Sequence, residues 1–279
     1  MVDRFYLRRA CSGDSQHIGG GALLRFLSHF ALTLAFFTRL PVPAFLFNHS
    51  ASLRDAFWTV PLVGGVLGGV LALVLSGLAW AGLPESVTVI FVMVIGVILT
   101  GALHEDGLAD FCDGLGGANQ EKALAIMKDS QIGSFGCLGL GFSVVARVLM
   151  LLELMRLGAG PLALLVMHVG GRGCLCWLLF FPLARGSGAA FETLGPPHSV
   201  SFYSTGFIAV LSLFLSVGVL FYWLSVLQMF ALLSVGSLVV LAVGLIALRR
   251  FGGVTGDVFG AAEQAAEIVL LAVLLCVLS

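Results

Sequence analysis

The chain has 279 residues, 59% of them hydrophobic and only 10% charged, with a formal net charge of −1. Soluble domains carry about a quarter charged residues, so this composition and a mean hydropathy of +1.08 exclude an ordinary soluble domain. A charge so close to zero gives no electrostatic footing for nucleic acid, and no nucleic-acid partner is expected.

Residues 1–21 form a polar tail with Arg4, Arg8 and Arg9, lacking the apolar core and cleavage site of a secretory signal. Residues 22–279 are expected to make one transmembrane catalytic domain. The apolar segment 22–40 ends at Arg39-Leu40-Pro41-Val42-Pro43, where two prolines stop a helix. Apolar runs follow at about 57–82, 87–103, 137–157, 162–183, 206–224 and 227–248, and a final helix runs to Ser279. Runs of about 20 apolar residues cross a bilayer, and in lipid the continuous ones must be helical to satisfy their amides. The fold class is therefore expected to be all-α, a polytopic integral membrane bundle of roughly seven or eight helices surrounded by membrane lipid.

Smaller features sort themselves on that frame. Gly64, Gly65, Gly68 and Gly69 make overlapping GxxxG pairs, which suit close helix packing and not a phosphate loop. The scattered cysteines, Cys174-x-Cys176 included, have no partners for zinc or a disulfide framework. Arg147 and Glu153 fall inside one span, where a structural ion pair competes with a functional role. The segment 185–205 has the look of a loop, and Glu263 and Glu267 stand at i, i+4 in the final helix.

The chemistry concentrates in GALHEDGLADFCDGLGG, residues 101–117. On a helix, Asp106, Asp110 and Asp113 lie at i, i+4 and i+7 and share a face. Clustered carboxylates at the end of an apolar run repel one another unless a cation joins them, and the set suits Mg²⁺ bridging to substrate phosphates. A solvated acidic loop is the plain alternative. His104 fits either a general base or a partner fixing an aspartate.

Basic residues sort by connection: Arg39 and Arg54, Lys122 and Lys128, Arg185, and Arg249 and Arg250 fall in alternate loops, whereas the others hold only Arg156. The positive-inside rule makes the rich side cytoplasmic. It puts the acidic stretch, the KDSQIGSFG turn (128–136) and GGVTGD (252–257) on one face. An N-terminus outside would conflict with its arginines, so segment 22–40 is expected to be interfacial or re-entrant. Lys128, Arg39 and Arg172 would contact phosphate, and amides near Gly252, Gly253 and Gly256 would donate to an anion. For GGVTGD alone, a tight turn with Thr255 as N-cap is the stronger reading. Together these features point to metal-assisted phosphoryl transfer from a nucleoside diphosphate-linked substrate.

Several blocks resemble one family, the cobalamin synthases (adenosylcobinamide-GDP ribazoletransferases). They are FFTRLPVP (36–43), ALHEDGLADFCDG (102–114), IMKDSQIGSFG (126–136), GRG (171–173) and GGVTGDVFGA (252–261). Gln131 and Val254 depart from residues common there. The resemblance implies that the hydroxyl of α-ribazole, or its 5′-phosphate, attacks adenosylcobinamide-GDP and GMP leaves. Mg²⁺ would be the cofactor and the cytoplasmic (inner) membrane the location, and an oligomer is allowed. On this reading the catalytic residues are His104, Asp106, Asp110, Asp113 and Lys128. The metal would sit on Asp106, Asp110 and Asp113, and substrate phosphate on Arg39, Ser130, Ser134, Arg172, Thr255 and Asp257. A CDP-alcohol phosphotransferase, a polyprenyl transferase and a cation transporter are the rivals. The first needs further aspartates at longer intervals, the second a second aspartate-rich motif, and the third acidic groups near mid-bilayer.

Overall fold

The computed structural model describes residues 22–47, 52–184 and 225–279. The expected tail 1–21, loop 185–205, Arg185 and span 206–224 lie outside the described residues. The rest is helical: α1 (Ala22–Phe37), α2 (Val60–Trp80), α3 (Glu85–Thr100), α4 (Leu103–Leu115), α5 (Gln120–Ile126), α6 (Ser134–Arg156), α7 (Gly160–Cys174), α8 (Val226–Phe251) and α9 (Gly256–Leu278). Among the described residues five helices are long and apolar enough to span, and α3 with α4 makes a sixth if that bent pair counts as one. The chain is a membrane protein with an all-helical bundle. At 16 residues, α1 reaches about 24 Å at 1.5 Å per residue, short of a bilayer core.

α7 is the centre of the bundle, with 83% of its span buried against 22% for α6, which turns its apolar side outward. Glycine decides how closely α2 reaches it. A Cβ at Gly68 would lie 2.8 Å from the Leu164 carbonyl oxygen, and one at Gly64 would collide with the His168 carbonyl. A Cβ at Gly65 would only brush Val169 at 3.9 Å and one at Gly69 would meet nothing, so of the two overlapping pairs Gly64 and Gly68 are the ones that the close approach requires. Leu71, Leu75, Val89, Leu151, Leu164, Met167 and Leu271 fill the core around it.

Two turns position everything that follows. Gly101 and Ala102 both adopt left-handed backbone, with φ of 65° and 58°, and α4 therefore leaves α3 at 87°. Glycine suits such a conformation; alanine holds it at a steric cost. The second turn joins α8 to α9. Gly252 and Gly253 have φ of 76° and 156°, the Val254 amide donates to Pro182 O at 2.9 Å and the Ala184 amide to Val254 O at 3.0 Å. Thr255 then caps α9, its hydroxyl accepting from the Val258 amide at 3.4 Å, as its place before an apolar run suggests.

The two ends of the bundle are distinct. At one, Arg156 pairs with Glu85 across the connections near Pro84 and Gly158. At the other, Gln120 Nε2 donates to Phe251 O at 2.9 Å, and Arg250 donates to Leu115 O and Gly117 O at 2.7 and 2.8 Å. The acidic stretch, the turn 128–136 and GGVTGD thus meet at one end, as their shared face requires.

Candidate active site

The bend at 101–102 lays α4 across the start of α9, and glycine sets the contact. A Cβ at Gly107 would stand 3.0 Å from the Asp257 carbonyl oxygen and 3.2 Å from Gly260 Cα. This close crossing places Asp106 and Asp110 beside Asp257: Asp110 lies within the electrostatic reach of Asp257, Asp106 and Asp113, and Asp257 within that of Asp106. Asp106 is exposed, and Asp110 and Asp257 are half-buried. Thr255 donates to Asp257 Oδ2 at 3.2 Å. Among the described residues no lysine, arginine or histidine forms an ion pair with these three carboxylates. Unneutralised carboxylates with only oxygen donors suit a hard divalent cation such as Mg²⁺.

Asp113 is placed differently from its expected neighbours. It is buried, and its Oδ2 and Oδ1 accept from the Gly133 and Gly136 amides at 2.6 and 2.8 Å. A Cβ at either glycine would collide with this carboxylate, so QIGSFG is shaped around an aspartate that caps α6 from another helix. The three aspartates expected to share a face are thus divided in placement: Asp106 and Asp110 lie at the crossing with Asp257, and Asp113 lies under the start of α6. The reason is that i+7 on this helix meets the amides at the start of α6 before it meets the cleft.

The opposite face of α4 carries a second polar cluster, closed to solvent. His104 is 3% exposed, and its Nδ1 lies 3.2 Å from Glu263 Oε2. That places it as a partner to Glu263, turned away from Asp106, and not as a base at the acidic cleft. Glu105 pairs with Arg147 at 3.3 Å, and Arg147 with Glu267 at 3.0 Å. Gln264 donates to Glu105 at 3.1 Å and accepts from Ser143 at 2.9 Å. His168 Nδ1 lies 2.9 Å from Glu267 Oε1. Arg147 therefore finds its partners on α4 and α9, whereas Glu153 is exposed and pairs with Arg156 at 2.6 Å. The cluster borders a cavity of about 20 Å³ also lined by Met93, Gly96 and Thr100, room for a water molecule.

The remaining expected residues divide. Arg39 is exposed at the end of α1, its amide donating to Leu99 O at 2.6 Å and its side chain packed over Gly101, at the bend that delivers Asp106. Lys128, Ser130 and Ser134 are exposed in and just after the turn that follows α5. Arg172 is buried within α7, 1% exposed, against Glu263, so it lies away from the cleft. A phosphate contact through Arg172 does not fit that burial. Asp257, expected at the substrate phosphate, lies beside Asp106 and Asp110, and the joining of Glu105, Glu263 and Glu267 into one buried set is what sequence reasoning missed. The i, i+4 glutamates inside an apolar helix were the available signal.

Comparison with known proteins adds a separate line. The family model described as Cobalamin-5-phosphate synthase matches residues 29–275. An adenosylcobinamide-GDP ribazoletransferase of Allorhizobium ampelinum is 35% identical over 258 residues, covering 90% of this chain and 97% of that protein. One from Azorhizobium caulinodans is 36% identical, covering 88% of this chain and 95% of its own. One from Vibrio cholerae is 36% identical over 272 residues, covering 92% and 97%. No solved structure matches.

Proposed function

This chain belongs to the cobalamin-5-phosphate synthase family, and on that premise we propose how it works as an adenosylcobinamide-GDP ribazoletransferase. The hydroxyl oxygen of α-ribazole, or of its 5′-phosphate, bonds to the phosphorus next to cobinamide. The bond from that phosphorus to the GMP oxygen breaks, the hydroxyl proton leaves, and adenosylcobalamin or its 5′-phosphate forms with GMP. The observation that carries the site assignment is the crossing that sets Gly107 against Asp257 and brings Asp106, Asp110 and Asp257, from two helices, to one cleft, with no cation among the described residues ion-paired to them.

A diphosphate brings further negative charge to three carboxylates, which repel it in the absence of a counter-ion. Asp106, Asp110 and Asp257 would hold Mg²⁺; when bound, the ion supplies neutralisation of the diphosphate and of charge developing on the leaving GMP. Thr255 orients Asp257 by its hydrogen bond. Arg39 and Lys128, exposed near the same end, add positive potential for the nucleotide side. The crossing of α4 over α9 fixes where the reacting phosphorus rests, and such positioning is a large part of phosphoryl-transfer catalysis.

The positive-inside rule places this end at the cytoplasmic side of the inner membrane, within reach of water-soluble α-ribazole and nucleotide. The relatives favour this transferase over the lipid-making and transport alternatives. Incubation of the purified protein with adenosylcobinamide-GDP, α-ribazole and Mg²⁺ should yield cobalamin and GMP in equal amounts, and chelation by EDTA should stop both. Product formation unaffected by EDTA would remove the metal from this account, and no product at all would remove the activity.

A further inference from the structure

Within the closed cluster, one side chain touches four others. Arg172 Nη1 lies 2.7 Å from Glu263 Oε1, 3.4 Å from Glu267 Oε1 and 2.9 Å from His168 Nδ1. Its Nη2 lies 3.4 Å from His104 Nδ1. The same three partners form a group of metal-ligand type: His168, Glu263 and Glu267 are buried, with ligand atoms all within 4.8 Å of one another. A divalent ion there would sit against the guanidinium, and like charges at such separations repel strongly away from water. The place of the ion is already taken by the protein.

We infer that Arg172 is a built-in cation, standing where this group would otherwise hold a metal, and that it positions the acidic cleft. The path is short. Arg172 belongs to α7, Glu263 and Glu267 to α9, and His104 to α4, so one guanidinium ties three helices. His104 and Asp106 ride on the same short helix on different faces, and Glu263 and Asp257 share α9. The contact of Gly107 with Gly260 lets the two helices approach but carries no side chain to stop one turning over the other. The His104–Glu263–Arg172 contacts, joined by Glu105–Arg147, supply that stop. With it, Asp106 and Asp110 stay beside Asp257. At 1% exposure Arg172 cannot itself meet the diphosphate; it is a positioning residue.

This inference rests on the reading of Asp106, Asp110 and Asp257 as the metal-holding group, and the test separates the two. Arg172→Met alone leaves three carboxylates to Arg147, so it is combined with Glu263→Gln. Two cations against three carboxylates then become one against two, the same net charge. Mn²⁺ binding is read by electron paramagnetic resonance on the purified full-length protein, and turnover is read separately. Loss of a group that orients metal ligands typically weakens metal affinity about 10–100-fold. The paired variant should show that loss for Mn²⁺, with the KM for adenosylcobinamide-GDP within about 3-fold of wild type. Arg172→Lys keeps a point charge but gives up the fork that reaches His104, and should weaken Mn²⁺ binding by about 10-fold, the low end of that range.

Wild-type Mn²⁺ affinity and turnover in the paired variant would overturn the inference alone. A raised KM for adenosylcobinamide-GDP with Mn²⁺ binding intact would also overturn it, making Arg172 a substrate contact. Absence of Mn²⁺ binding in the wild-type protein would overturn the aspartate reading and the inference with it. If the paired variant does not fold, Arg172→Lys carries the test: weakened Mn²⁺ binding at unchanged KM supports the inference, and wild-type values overturn it.

Discussion

The two faces of α4 carry similar residues under opposite rules. Outward, Asp106 and Asp110 lie beside Asp257, and among the described residues no cation is ion-paired to them. Inward, His104 and Glu105 meet Glu263, Glu267, Arg147 and Arg172, and each carboxylate there lies against a guanidinium or an imidazole. Taking a charge out of water is costly unless it is paired, so the buried face is neutralised by the chain. The outer face keeps its charge unsatisfied, which makes it a place for a ligand that arrives with a cation. Paired charge marks what holds the helix, and unpaired charge marks what the helix holds.

Substitutions should break this contrast in graded fashion. The largest effect belongs outside: Asp106→Ala, Asp110→Ala or Asp257→Asn should cut Mg²⁺-dependent GMP release by about 10³-fold or more, about 4 kcal/mol. Membrane insertion and melting temperature should stay near wild type; a variant retaining full turnover would take that residue out of the site. Arg147→Met should act first on the fold, since it leaves Glu105 without its ion pair and takes one of three partners from Glu267. A broken buried pair costs about 3–5 kcal/mol, visible as a marked fall in thermal stability in detergent. An unchanged melting curve would mean that the inner face is not what holds α4.

Asp113→Ala sharpens the comparison, because this residue shares a helix with Asp106 and Asp110 but is buried as a cap. A loss of about 1–2 kcal/mol in stability is expected, with the half-saturating Mg²⁺ concentration within about 3-fold of wild type. A rise of 100-fold would return Asp113 to the metal. Thr255→Ala should be mildest, about 1 kcal/mol from the lost cap of α9, with Thr255→Ser near wild type; equal losses in both would mean that the hydroxyl, which both caps α9 and meets Asp257, is not what the position supplies.

Much of this was readable before any coordinates. Periodless apolar runs announced the spans, charge sorting brought the acidic stretch, the KDSQIGSFG turn and GGVTGD to one end, and the place of Thr255 before the final helix announced a cap. What could not be read was direction. The i, i+4, i+7 pattern puts three aspartates on one side of α4, but only the approach of α6 decides that Asp113 meets the Gly133 and Gly136 amides. Asp257 joins the acidic group because Gly107 and Gly260 let two helices nearly touch, a contact between segments distant in sequence. Arg172 resembled a phosphate ligand because an arginine among glycines has no carboxylate near it in sequence; its carboxylate partners lie on α9.

Those long separations bear on how the protein is made. The carboxylates on Arg172 come much later in the chain, Glu267 by 95 residues, whereas Arg147 can already lean on Glu105. During translation α7 therefore enters the bilayer with an uncompensated guanidinium and waits for α9 to be delivered. The nascent chain is most exposed to membrane quality-control proteolysis in that interval. A chain stalled before Glu263 should be degraded faster than the same chain carrying Arg172→Leu, and pulse-chase labelling would show whether it is.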